Sequence, residues 1–177
     1  AKGVSNKLGF THIDTGSMYR AVTLGLSHDN IMLDDRNRII SYLENLDIKF
    51  NSSGHIVLNG ENVSNAIRTV EISSKVSKIS AIPEIRSKMV DFQRNIAGKS
   101  DCVLEGRDIG TVVFPNADYK FYMIADINIR AQRRLIELEQ IDESSTIEEI
   151  ISSINIRDEL DSKRSHSPLK QALDCLL

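Results

Sequence analysis

The run Asp101-Cys102-Val103-Leu104-Glu105-Gly106-Arg107-Asp108-Ile109-Gly110-Thr111 changes character at its midpoint. Asp101 to Glu105 reads as a short apolar strand. Gly106 to Thr111 reads as a polar turn whose bounding glycines permit unusual dihedrals and close approach of a ligand. The same strand-then-turn order occurs near the start of the chain. Phe10 to Ile13 is a short buried strand, and Asp14-Thr15-Gly16-Ser17 can open a helix on which Met18, Val22 and Leu26 share a face. Upstream, Ala1, Val4 and Leu8 share another helical face, with Gly9 as its C-terminal stop. Tyr119 to Ile124, rich in aromatic and β-branched residues, reads as a further strand. Short strands alternating with helices predict an α/β fold, a parallel sheet with helices on both faces.

Between these strands the pattern differs. Ile39, Ile40, Leu43 and Leu46 recur at helical spacing, with the helix ending near Asp47. Ile48-Lys49-Phe50 and His55-Ile56-Val57-Leu58, joined through Asn51-Ser52-Ser53-Gly54, predict a β-hairpin. Asn59-Gly60 is a turn dipeptide, and Val63 is expected to start another short strand. Helices are predicted at about 70–81 and 84–97, with Pro83 suited to the first turn of the second. Asn128 to Glu139 and Ile147 to Ser162 are helical, separated by Ser144-Ser145-Thr146, and Pro168 ends the regular pattern.

Composition removes several classes. A chain of 177 residues, 41% hydrophobic and 27% charged, is one globular domain of ordinary size. No apolar run approaches the roughly 20 residues of a membrane helix, so no membrane association is expected. Cys102 and Cys175 make neither a disulfide scaffold nor a metal cluster, which points to a cytoplasmic setting. A net charge of −3 and 5% aromatics, without Trp, argue against a nucleic-acid partner. His12 is expected to pack within its apolar strand, and no histidine pair has zinc spacing.

Arginines carry the chemistry. Arg20 follows the 10–13 strand and Arg107 the 101–105 strand, at the strand ends where α/β proteins bind ligands, and guanidiniums grip phosphate oxygens in bidentate fashion. In the turn, Arg107 and Asp108 pair a phosphate clamp with a group able to read a base edge; a local ion pair accounts for the same residues equally well. Arg157, Asp161 and Arg164 fall on one helical face. There a carboxylate held between two cations can accept sugar hydroxyls while the arginines reach phosphate. An exposed ladder of ion pairs is the plainer alternative.

Four segments together resemble the bacterial-type cytidylate kinases of the nucleoside monophosphate kinase group. They are Asp14-Thr15-Gly16-Ser17-Met18-Tyr19-Arg20; Gly106 through Ala117, with its Gly-Arg-Asp-Ile-Gly-Thr start; Arg130-Ala131-Gln132-Arg133-Arg134; and Arg157 through Arg164 with Ser167-Pro168-Leu169. Their order and separations fit along essentially the whole chain. The resemblance implies a P-loop NTPase-like core at about 1–45, 84–133 and 166–177. It also implies a small antiparallel monophosphate-binding insert at about 46–83 and a helical lid at about 134–165.

The implied activity is transfer of the ATP γ-phosphoryl group, with Mg²⁺, to CMP or dCMP by a monomer. Another nucleoside monophosphate as acceptor, or a non-catalytic nucleotide-binding module, is the alternative. By position, the resemblance assigns the CMP phosphate to Thr15, Arg20, Arg107 and Arg164, the sugar to Arg157 and Asp161, and the cytosine to Ser77, Arg86 and Asp108. Arg130, Arg133 and Arg134 are implied to bring charge over the phosphates from the lid, sharing the catalytic role with Arg107 and Arg164. The family's Gly-x-x-x-x-Gly-Lys-[Ser/Thr] loop, which holds the ATP phosphates and Mg²⁺, is expected directly before Ala1. The chain without it is expected to be an inactive internal piece, and no metal ligand is assigned among its own residues.

Overall fold

A computed structural model describes residues 1–176. Helix α1 (Lys2–Leu8) stops at Gly9, whose φ of 69° is the left-handed conformation that glycine adopts without a Cβ penalty. The chain turns into β1 (Thr11–Asp14), and Asp14 caps α2 (Thr15–His28) by accepting from Ser17 N at 3.1 Å. Strand β1 pairs in parallel with β5 (Cys102–Glu105), placing Thr11 beside Cys102 and Asp14 beside Glu105. Both strands therefore deliver their following turns at the same edge.

Helix α3 (Arg36–Glu44) leads into an antiparallel sheet of β2 (Ile48–Phe50), β3 (Ile56–Leu58) and β4 (Glu61–Asn62). All three residues of β3 are buried, two of them (Ile56 and Leu58) in the main core. A 3-10 turn at Ala66–Arg68 precedes α4 (Val70–Ser80), and α5 (Pro83–Ala97) starts on its proline. The main core joins these parts through Ile13, Met18, Val22, Leu26, Ile39, Ile67, Ile85 and Met89, all nearly inaccessible. Helices α6 (Ile127–Glu139) and α7 (Ile147–Lys163) form a hairpin with its own apolar centre of Ala131, Leu138 and Ile150. Thr146 and Glu149 close a capping box at the start of α7.

The α/β architecture agrees with expectation, and three local readings are corrected. Tyr119 to Ile124 is no regular strand. Among the described residues its one pairing is a parallel bridge from Phe121 to Leu176, and Tyr119, Phe121, Met123 and Ile124 are exposed. Strand-forming residues make a strand only where a neighbour supplies a ladder and a face to bury. The third strand of the insert ends at Asn62, and Val63 instead enters the core. His12 is not simply packed: its Nε2 lies 2.7 Å from Glu105 Oε1.

Candidate active site

The parallel register of β1 and β5 fixes the floor of the site. Thr15, the first residue of α2, is buried and donates from Oγ1 to the Glu105 carbonyl at 2.7 Å. This cross-link needs Gly106, because a Cβ there would fall 2.3 Å from Thr15 Oγ1 and 2.9 Å from Ile109 Cδ1. Beyond Gly106 the polar turn widens into one π-helical turn, Ile109–Val113. The Asp108 carbonyl accepts from Val112 N at 2.9 Å, fixing the backbone of the residue that carries the acid. Single π turns of this kind recur at functional sites.

Asp108 is 4% exposed and forms an ion pair with Arg86, itself 4% exposed. Arg86 Nη1 also donates to the Ser80 carbonyl at 2.9 Å, and its guanidinium carbon lies 5.3 Å from the centre of the Tyr19 ring. Burial pushes the Tyr19 hydroxyl up to about 12, against the pull of Arg86. The Ser77 hydroxyl and Arg86 Nε are buried without a hydrogen-bond partner among the described residues. Each such orphan costs about 1–3 kcal/mol, which a polar ligand in reach would offset.

Next to this pair lies an alternating chain of charges. Asp161, 3% exposed, takes Arg107 Nε at 3.2 Å, Arg164 Nη1 at 3.5 Å and Arg157 Nε at 3.9 Å. Asp158 continues the chain, meeting Arg130 Nη1 at 2.6 Å and Arg107 Nη2 at 3.5 Å. Burial first, and then the neighbouring Arg107, pushes the Arg157 guanidinium below its ordinary range. Burial and then Arg86 do the same to Arg164.

Arg20 occupies the third corner. Its Nη1 donates to Ser73 Oγ at 2.7 Å, and Arg134 Nη2 reaches the same oxygen at 2.9 Å. Arg20 is pushed down to about 9, by burial first and then by Arg157 and Arg134, with Asp14 opposing. In physical terms the cation is short of negative charge. A groove of about 520 Å³ opens between α4 and α7, with Ser73, Ser77 and Arg157 on its walls. That volume suits a small polar ligand.

Nearly all residues singled out in the sequence meet here. Arg20, Ser77, Arg86, Arg107, Asp108, Arg157, Asp161 and Arg164 surround one region, joined by Arg130 and Arg134 from α6. Thr15 serves as a backbone peg beneath them. Arg133 lies apart, exposed on α6. Three participants had no role assigned from sequence: Tyr19 under Arg86, Asp158 between two arginines, and Ser73 between two others. Asp158 could have been found from its position three residues before Asp161, one helical turn away. No sequence signal separates Ser73 from Ser74, Ser77 and Ser80. Seven guanidiniums face four carboxylates (Asp108, Glu137, Asp158 and Asp161), so a chain of net charge −3 concentrates positive charge at one spot. This is the electrostatics of a polyanion site.

The family model for cytidylate kinase matches residues 1–177. Among curated relatives, the cytidylate kinase of Caldanaerobacter subterraneus subsp. tengcongensis is 46% identical over 169 residues, spanning 96% of this chain and 75% of that protein. The cytidylate kinase of Clostridioides difficile is 44% identical over 176 residues, 99% of this chain and 81% of that protein. The cytidylate kinase of Clostridium botulinum is 42% identical over 177 residues, 100% of this chain and 81% of that protein. Among the described residues no helix is long and apolar enough to cross a membrane.

Proposed function

Because this chain belongs to the cytidylate kinase family, we propose that its arginine-rich site accepts CMP or dCMP and presents its phosphate for phosphoryl transfer from ATP. Family membership supports the coarse chemistry, transfer to a nucleoside monophosphate. The choice of base rests on one observation: the buried Asp108–Arg86 pair, with Arg86 also bonded to the Ser80 carbonyl one helical turn after Ser77. Cytosine carries an amino donor where uracil carries a carbonyl. A buried carboxylate accepts from the amine and repels the carbonyl. Arg86, paired with that carboxylate in the buried interior, holds it in place. A site built around such a bond rejects the wrong base strongly, because its buried polar groups would be left unpaired.

The acceptor phosphate is already ionised at neutral pH, so the nucleophile needs no strong general base. The residues act by positioning and by charge. In this reading Arg20, Arg107 and Arg164 hold the acceptor phosphate, with Thr15 pegging the floor beneath it. Arg157 and Asp161 orient the sugar. Arg130 and Arg134, with Arg133 further out on α6, add positive charge where the transferred group becomes more negative. ATP would arrive as its magnesium complex. Among the described residues no group of three or more His, Cys, Asp or Glu gathers as a metal site, and no protein ligand is assigned to that ion.

Calorimetric titration with CMP, dCMP, UMP and AMP tests the proposal. Both cytosine nucleotides are expected to bind at least tenfold more tightly than UMP and AMP, and Asp108→Asn should erase that preference. Equal affinity for UMP in the unaltered chain would overturn the base assignment.

A further inference from the structure

Ser73 is a neutral residue among guanidiniums. Its hydroxyl oxygen accepts from Arg20 Nη1 at 2.7 Å and from Arg134 Nη2 at 2.9 Å. Arg20 has one other recorded contact, the Ile67 carbonyl at 3.5 Å, and no carboxylate bonds to it among the described residues. Arg134 Nη2 also donates to the Arg68 carbonyl at 2.8 Å, while its Nη1 sits 3.2 Å from Glu137. The two arginines come from separately packed parts of the molecule. Arg20 lies on α2, within the main core, and Arg134 lies on α6, whose apolar contacts are with α7.

Two guanidiniums on one oxygen repel each other, and burial strengthens the repulsion. Ser73 holds them together without supplying a counter-charge of its own. A carboxylate at this position would neutralise the pair and compete with an incoming anion. A hydroxyl fixes the geometry and adds no negative charge to that of Glu137, which already pairs with Arg134.

We propose that Ser73 is a positioning residue for the acceptor phosphate: its hydroxyl gathers Arg20 and Arg134 into one cationic pair, so that seating the phosphate and docking the α6–α7 hairpin become a single event. The proposal rests on the acceptor-site reading above and adds to it a residue and a coupling.

The test compares CMP with cytidine, which lacks the phosphate, by calorimetry on the 177-residue chain and its variants Ser73→Ala, Ser73→Thr and Ser73→Asp. Hydrogen exchange of residues 127–139 is followed with and without CMP. Alanine is the best helix former, so Ser73→Ala keeps α4 folded. It is expected to weaken CMP roughly tenfold, leave cytidine unchanged and abolish CMP-induced protection of α6. Ser73→Thr should restore both properties, and Ser73→Asp should bind CMP more weakly than Ser73→Ala. Equal losses for CMP and cytidine would make Ser73 merely structural and overturn the proposal. So would unchanged CMP binding in Ser73→Ala while the parent chain prefers CMP, and that outcome leaves the acceptor-site reading standing. A parent chain that binds CMP no better than cytidine overturns both.

Discussion

Asp108→Asn leaves the Arg86 guanidinium buried without its carboxylate. Uncompensated charges of this kind cost about 3–5 kcal/mol, so this variant should melt well below the parent chain, as a thermal scan would read directly. Base selectivity must then be measured at a temperature where the variant is still folded. Gly106→Ala addresses a different contact. The added methyl would sit 2.3 Å from Thr15 Oγ1, so either the Thr15 bond to Glu105 breaks or the turn shifts. The expected result is weaker CMP binding together with lower stability. Arg107→Ala should weaken CMP by about tenfold or more while costing little stability, since its two carboxylate neighbours keep Arg130, Arg157 and Arg164. At this scale the sequence was most informative where spacing is rigid. Arg157, Asp161 and Arg164 share a helix face, and helical geometry alone brings them together. Ser73 could not be found that way, because its partners lie 53 and 61 positions away and only the packed fold unites them.

Elements were legible wherever one period dominated. Helices α2, α4, α5, α6 and α7 lie close to where apolar spacing put them, and the β2–β3 hairpin follows its turn residues. The errors fall where structure depends on a neighbour. Tyr119 to Ile124 has the composition of a strand, but among the described residues its pairing is the single bridge to Leu176. The π turn at Ile109–Val113 has no compositional signature, although it follows directly on Asp108 and buries Val113. Helix α7 offers a test of its own. Its hydrophobic face is small and its capping box is complete, so the cap matters more here than on a well-buried helix. Thr146→Ala is expected to cost about 1 kcal/mol. Hydrogen exchange should show faster opening in the first turn of α7, with the main core unaffected.

Across the whole molecule, positive charge is gathered at one edge of a mildly acidic chain. An anion seated there relieves the shortage felt at Arg20, so inorganic phosphate should raise the melting temperature, whereas chloride at equal ionic strength should not. At a hundred times its dissociation constant an anion contributes about 2.7 kcal/mol, which is several degrees for a chain of this size. The buried phenols give a pH signature. Burial pushes Tyr19 and Tyr42 up to about 12, so both stay protonated in the folded chain through the range where an unfolded tyrosine ionises. Between about pH 10 and 12 the folded state then holds more protons than the unfolded one, and the tyrosine contribution to stability falls as pH rises. Phenolate absorbance should show this late component, and a double Tyr19→Phe, Tyr42→Phe variant should lack it. The separate apolar centre of α6 and α7 has a consequence for divergence between relatives. What fastens this hairpin to the remainder is a short set of charged and polar links, not shared oily packing. Its interior can drift in sequence, or be transplanted whole as a cassette, provided the outward-reaching cations keep their register.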